Sequence, residues 1–141
     1  KIDIPDSTNF IGDYAFYQCY SLTFLALPLR LKTFGKFAFY QCVQLEELSV
    51  ANLEHLNLLM QNGNAKFLKK LTLLSGPIEL NEGQIGSFEN LEEVAIPSVI
   101  RKIGQGAFKQ CAKIKRVIIE SKFTEVDVNA FISNPELIYT S

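Results

Sequence analysis

Residues 10–19 read Phe-Ile-Gly-Asp-Tyr-Ala-Phe-Tyr-Gln-Cys, and the pattern Gly-x-x-Ala-Phe-x-Gln-Cys within them occurs three times in this chain. Residues 33–42 read Thr-Phe-Gly-Lys-Phe-Ala-Phe-Tyr-Gln-Cys, and residues 102–111 read Lys-Ile-Gly-Gln-Gly-Ala-Phe-Lys-Gln-Cys. The first two copies are 23 residues apart, and the third follows the second after 69 residues, three times that period. Self-similarity at a fixed period of this length predicts a stack of repeats, each of which packs on its neighbours.

The same period orders the apolar residues of the whole chain. One column at this spacing comprises Leu22, Leu45, Leu68, Leu91, Ile114 and Leu137. Two more columns comprise Ile2, Leu25, Leu48, Leu71, Val94 and Val117, and Ile4, Leu27, Val50, Leu73, Ile96 and Ile119. No shift in register is needed, so we expect equal units with an L-x-x-L-x-L core, which is typical of leucine-rich repeats. The last two positions of that core share one face of a strand, and stacked units therefore predict a parallel sheet.

Each unit must then return to the start of the next strand. A further apolar column comprises Ile11, Phe34, Leu80, Ile103 and Val126. We expect Gly12, Gly35 and Gly104, which come next, where the backbone turns tightly or takes a positive φ. The Ala-Phe pairs that follow predict a short helical turn whose phenylalanine fills the core. The predicted fold is therefore α/β and β-rich, a solenoid of about six 23-residue units with short strands or helical turns opposite the parallel sheet.

The combined pattern resembles the BspA-like leucine-rich repeats. The clearest copy has Ile96-Pro97, Ile103-Gly104, Ala107-Phe108 and Cys111, and the resemblance covers essentially all 141 residues. Units three and four depart from it: Asn57-Leu58 and Leu80-Asn81 replace Ile-Gly, residues 61–62 and 84–85 replace Ala-Phe, and Ala65 and Phe88 replace Cys. The resemblance implies a surface or secreted protein of bacteria or parasitic protists. It further implies a role in adhesion and host contact, with a protein or extracellular-matrix ligand, or a glycan, as the partner.

The composition of the chain excludes some classes of function. A chain of 141 residues and 15.9 kDa fits one domain over residues 1–141. Its net charge of −1 and pI of about 5.9 show no excess of basic residues of the kind that binds nucleic acid. No apolar run approaches the roughly 18 residues of a membrane span. Because both ends carry recognisable repeat halves in place of polar caps, we expect the chain to be a piece of a longer protein.

The sequence offers no motif for catalysis, a metal or a cofactor. It has neither a Gly-x-Ser-x-Gly elbow nor a phosphate-binding loop, and no Cys-x-x-Cys or histidine pair for zinc. We interpret the single histidine, His55, as a surface residue. We interpret Cys19, Cys42 and Cys111 as buried free thiols, with a Cys19–Cys42 disulfide as the alternative because these two should lie one above the other.

Charged residues alternate in sign along two exposed positions of the strands. One series is Thr23, Glu46, Lys69, Glu92 and Lys115, and the next is Phe24, Glu47, Lys70, Glu93 and Arg116. Residues at equal positions of adjacent strands are cross-strand neighbours, so opposite charges there stabilise the stack and favour one register. We interpret the ladder chiefly as surface ion pairing, which is compatible with a role in partner recognition.

The exposed face of the sheet is the predicted binding surface, as is usual for leucine-rich repeats. The predicted site residues are Phe24, Glu47, Ser49, Lys70, Thr72, Glu93 and Arg116. A second aromatic set has Tyr14 over Phe37 and Tyr17 over Tyr40, which we interpret as stacking along the solenoid or as covered by further N-terminal units, with an interface as the alternative. The leading function is non-enzymatic recognition. The alternatives are a structural spacer and an accessory domain of a larger protein.

Overall fold

The computed structural model describes residues 2–61 and 66–141 and shows a parallel β-solenoid of about five turns with one helix. The strands are β1 (Phe10–Ile11), β2 (Phe24–Ala26), β3 (Thr33–Phe34), β4 (Glu47–Val50), β5 (Lys70–Leu73), β6 (Glu79–Leu80), β7 (Glu93–Ile96), β8 (Lys102–Ile103), β9 (Arg116–Ile119), β10 (Glu125–Val126) and β11 (Glu136–Tyr139). The helix, α1 (Leu53–Gln61), follows β4.

Six of these strands form one parallel sheet, in the order β2, β4, β5, β7, β9 and β11. Side chains alternate along each strand between the core and the opposite face. The buried row in register is Leu25, Leu48, Leu71, Val94 and Val117. The row just before the strands, also buried, is Leu22, Leu45, Leu68, Leu91 and Ile114. The predicted spine of stacked apolar residues is therefore confirmed from the first strand of this sheet to the fifth.

The last unit is shorter than the sequence pattern predicts. Leu137 lies opposite Val117, 20 residues earlier, and not in the row of Ile114. Because Phe131 still pairs with Phe108 at the full period, the three missing residues fall between Phe131 and β11. In this shortened turn, the hydroxyl of Ser133 donates to the Ile114 carbonyl at 2.8 Å. The prediction of an unbroken register was therefore wrong here, and Leu137 is 37% exposed.

The third unit returns through α1 where other units use a short strand. The side chain of Asn52 accepts a hydrogen bond from the Glu54 amide at 2.8 Å, which caps the first turn of the helix. Leu56 and Leu59 face the core. As a result, the short strands opposite the main sheet form two groups, β1–β3 and β6–β8–β10. The departures at Asn62 and Ala65 that we noted in the sequence lie outside the described residues.

His55 is buried on α1, so its interpretation as a surface residue was wrong. Its side chain is 3% exposed, and its ring lies 5.8 Å from the ring of Phe34. Nε2 donates a hydrogen bond to the Lys32 carbonyl at 3.1 Å, because a carbonyl oxygen can only accept. The helix turns this position inward, and the hydrogen bond satisfies the buried imidazole.

The return segments of units one, two and five are successions of turns. Tyr14, Phe37 and Gly106 occupy the same repeat position and have positive φ angles of 58°, 56° and 69°. A left-handed residue interrupts a right-handed helix, which explains why the Ala-Phe pairs that follow lie in turns. The positive φ thus falls two residues after the glycines at which we expected it. Gly35 and Gly104 instead lie against the backbone of the preceding unit.

Candidate functional site

All seven predicted site residues lie on the exposed face of the six-stranded sheet. Strand register aligns Phe24, Glu47, Lys70, Glu93, Arg116 and Glu136, which we call the first row. It likewise aligns Ala26, Ser49, Thr72, Ala95 and Ile118, which we call the second row. The structure therefore brings the predicted residues together as two parallel lines that run along the solenoid.

The alternating charge ladder is present on and beside the first row. The Arg116 guanidinium donates to the Glu93 carboxylate at 2.8 Å, and Lys115 donates to Glu92 at 3.1 Å. These contacts lower the pKa of Glu92 and raise the pKa of Arg116, in each case chiefly through the hydrogen bond to the opposite charge. At this end of the sheet, the charged groups already neutralise one another.

The centre of the first row differs from that end. Glu47 and Lys70 are exposed and in register, and Lys70 is also in register with Glu93. Within residues 2–61 and 66–141, neither Glu47 nor Lys70 has an ion-pair partner. Their carboxylate and ammonium groups are consequently available to a ligand that approaches the sheet.

A groove borders the second row and was not foreseen from the sequence. One part of the groove, a cleft of about 380 Å³, is lined by residues that include Phe24, Ala26, Leu29 and Leu74. The other part, a cleft of about 200 Å³, is lined by Thr72, Leu73, Leu74, Ala95, Ile96, Pro97, Ile118, Glu120 and Thr140. Because Leu74 lines both clefts, they adjoin and extend across several strands. Leu29 and Leu74 follow their strands and are 61% and 43% exposed, so each apolar side chain borders the groove without filling it.

The aromatic residues of the first two return segments form a second surface feature. The rings of Tyr14 and Phe37 lie 5.5 Å apart, and those of Tyr17 and Tyr40 are stacked at 5.7 Å. Tyr14 also contacts Tyr17, and Phe37 contacts Tyr40. The predicted stacking along the solenoid is confirmed, although Tyr14 and Tyr17 stay 52% and 39% exposed.

The three cysteines are free thiols. Cys42 and Cys111 are buried, as the sequence predicts, whereas Cys19 is half-buried. Burial raises the pKa of the Cys42 thiol to about 11 and also raises the pKa of Cys111. Both buried thiols therefore remain protonated at neutral pH.

Neither a metal-binding cluster of side chains nor a membrane-spanning helix is present in the described parts of the chain, residues 2–61 and 66–141. In these parts, no cluster of three or more His, Cys, Asp or Glu side chains is arranged to hold a metal ion. Nor does any helix there have the length and apolar character needed to cross a membrane.

We expect Lys70→Glu to lower the stability of the fold. The new carboxylate would lie in register between Glu47 and Glu93, and each repulsive cross-strand pair costs about 0.2–1 kcal/mol. Thermal denaturation should show a lower melting temperature than for the unchanged protein, with the larger difference at low salt because salt screens exposed charges. The exposed Lys122→Glu, in the loop between β9 and β10, is the matched control. An unchanged melting temperature of Lys70→Glu at low salt would contradict a stabilising ladder.

The sequence also matches a known protein family. The family model described as the BspA type leucine rich repeat region matches the chain in six copies, over residues 1–58 and 62–138. No curated protein matches the chain. Among solved structures, the chain is similar to a leucine rich cell surface protein from Faecalibacterium prausnitzii, with 18% sequence identity and a TM-score of 0.40. The alignment covers 97% of this chain and 52% of that protein, so the chain spans about half of its length.

Proposed function

The chain belongs to the BspA-type leucine-rich repeat family, and on this premise we propose that it is a non-enzymatic module that binds a protein ligand at a cell surface or in secreted form. Solenoids of stacked repeats commonly bind partners through an extended surface formed by many units. Family membership supports the surface location and the adhesive role. The groove beside the second row, with Glu47 and Lys70 unpaired among the described residues, supports the position of the binding site.

The shape of the groove favours an extended segment of protein as the ligand. The short side chains of Ala26, Thr72 and Ala95 leave room above the second row for a main chain that crosses the strands. An apolar side chain of the ligand can enter the cleft between Phe24 and Leu74. The two rows contain a single aromatic ring, Phe24, so the stacked sugar rings of a glycan find less support here than a polypeptide does. We therefore propose an extracellular-matrix protein as the ligand class.

Charge on the first row would then set the register of the ligand. The carboxylate of Glu47 and the ammonium of Lys70 lie side by side on β4 and β5. A ligand segment that carries a basic and an acidic side chain in the reverse order pairs with both, whereas one with like charges is repelled by one of them. The row itself is close to neutral, so the selectivity comes from the order of the charges.

Binding to immobilised collagen, laminin and fibronectin, with a panel of glycans alongside, tests the proposal. We expect Phe24→Ala and Lys70→Ala each to weaken binding to a matrix protein about tenfold, equivalent to about 1.4 kcal/mol, because central aromatic and charged contacts dominate such interfaces. The matched controls are Phe123→Ala and Lys122→Ala, whose side chains are exposed in the loop between β9 and β10 and line neither cleft, and these should bind as the unchanged protein does.

Two results would overturn this assignment. If Phe24→Ala and Lys70→Ala leave matrix binding unchanged while the control substitutions weaken it, the ligand binds elsewhere on the solenoid. If the folded chain binds none of the matrix proteins, a spacer or accessory role fits better than adhesion. Binding to glycans alone would replace the proposed ligand class with its alternative.

A further inference from the structure

Cys19 and Cys42 occupy the same position of the first two return segments, just before strands β2 and β4. Here, the first two units run side by side: the Gln18 amide donates to the Tyr40 carbonyl at 2.8 Å, and the Gln18 side chain donates to that of Gln41 at 2.7 Å. Cys42 Sγ points back to the first unit and donates to the Phe16 carbonyl at 3.2 Å. The Cys19 amide donates to the same Phe16 carbonyl at 3.3 Å, so the Cys42 thiol and the Cys19 backbone converge on one oxygen. Two free thiols thus occupy one repeat position in successive units that are hydrogen-bonded to each other at this point.

We propose that Cys19 and Cys42 form a redox modification site, at which a peroxide converts the two thiols into a disulfide that joins the first unit to the second. Residues at equivalent positions of adjacent, hydrogen-bonded segments have backbones close to the separation that a disulfide requires. Such a bond would close a loop one repeat long and would restrict the unfolded chain, which stabilises the folded state. The proposal is independent of the binding role of the exposed sheet face.

The order of the chemistry follows from the burial of the two sulfurs. Cys19 is half-buried and Cys42 is buried, so hydrogen peroxide reaches Cys19 first. The Cys19 sulfur attacks one peroxide oxygen and the O–O bond breaks, which gives a Cys19 sulfenic acid and one water molecule. The Cys42 sulfur then attacks the Cys19 sulfur, and the S–O bond breaks. The departing hydroxide combines with the Cys42 thiol proton as a second water, so the two thiols lose two electrons and the peroxide gains two.

Burial makes Cys42 the second of the two thiols to react. Burial raises the pKa of its thiol to about 11, and thiolates are the species that peroxide oxidises, so direct oxidation of Cys42 is disfavoured.

Cys111 provides an internal control within the same chain. It occupies the same repeat position in the fifth unit, is buried, and donates to a carbonyl of the preceding unit, that of Gly86, at 3.4 Å. In the preceding unit, however, the equivalent position holds Phe88. Cys111 therefore shares the environment of Cys42 but has no second thiol beside it.

Treatment of the 141-residue chain with hydrogen peroxide, followed by peptide mass mapping without reduction, tests the site. We expect a Cys19–Cys42 linked peptide that is lighter by two hydrogen atoms than the two separate peptides, while Cys111 stays a thiol. Dithiothreitol should reverse the linkage, and the oxidised protein should melt at a higher temperature than the reduced one. Cys111→Ala should give the same yield of linkage.

Two variants separate the steps. In Cys42→Ala, Cys19 has no resolving partner and should proceed to the sulfinic acid. In Cys19→Ser, which leaves the buried Cys42 in place, peroxide should leave Cys42 reduced. The proposal is overturned if the unchanged protein accumulates Cys19 sulfenic or sulfinic acid beside a free Cys42 thiol. It is equally overturned if Cys19 forms disulfides only between chains, or if Cys111 is oxidised as fast as Cys19.

Discussion

Replacement of Phe39 by alanine should lower the free energy of unfolding by about 3–5 kcal/mol, toward the upper end of that range. Phe39 is fully buried, is stacked on Phe16 at 5.1 Å and meets the ring of Phe34 edge-on at 5.5 Å. Alanine would remove the buried ring and both aromatic contacts, each of which adds about 0.5–1.5 kcal/mol to the value of simple burial. Urea denaturation followed by far-UV circular dichroism measures the loss.

Alanine substitutions of two other phenylalanines provide a comparison for Phe39→Ala. Phe108 is also fully buried but has one aromatic contact in the described structure, the stacked ring of Phe131 at 5.1 Å, so Phe108→Ala should cost somewhat less. Phe123 is 76% exposed, and Phe123→Ala should change the stability by less than about 0.5 kcal/mol. If Phe39→Ala costs no more than Phe123→Ala, the aromatic column does not form the continuous core that the structure shows.

Phe39 also illustrates what the sequence could predict. Its burial follows from the repeat alone, because a residue that recurs at one position of every well-conserved copy must pack against its own equivalents in the stack. The two faces of the sheet follow from the two-residue alternation along each strand. For this reason, all seven predicted site residues lie on one face.

The predictions that were wrong have physical causes at particular residues. Leu137 fits the apolar pattern opposite either Ile114 or Val117, so hydrophobicity alone could not reveal that the last turn is three residues shorter. The helix α1 begins after Asn52, whose side chain caps its first turn. A prediction based on the repeat pattern alone does not take this local signal into account. Once that segment is helical, His55 faces the core and not the solvent.

The groove was missed for a different reason. Leu29 and Leu74 lie just after their strands, and both depart from the repeat: the other units have polar residues at the first position and chiefly proline at the second. The space beside the second row depends on the path of the chain after each strand, and neither periodicity nor composition specifies that path. The candidate site could therefore be placed on the correct face from sequence, but its shape required coordinates.

Gly35→Ala should destabilise the fold by about 1–3 kcal/mol, whereas Gly12→Ala, at the same repeat position of the first unit, should be close to neutral. A Cβ atom on Gly35 would collide with the Asp13 amide nitrogen and side chain and would lie 2.7 Å from the Gly12 carbonyl carbon. Those backbone atoms cannot move freely, because the Gly35 amide donates to the Ile11 carbonyl at 2.7 Å and the Lys36 amide donates to the Asp13 side chain at 2.8 Å. A Cβ atom on Gly12 meets nothing within 4 Å. Urea denaturation of the two variants compares them directly, and equal stabilities would mean that successive units are not packed as closely at this position as the structure shows.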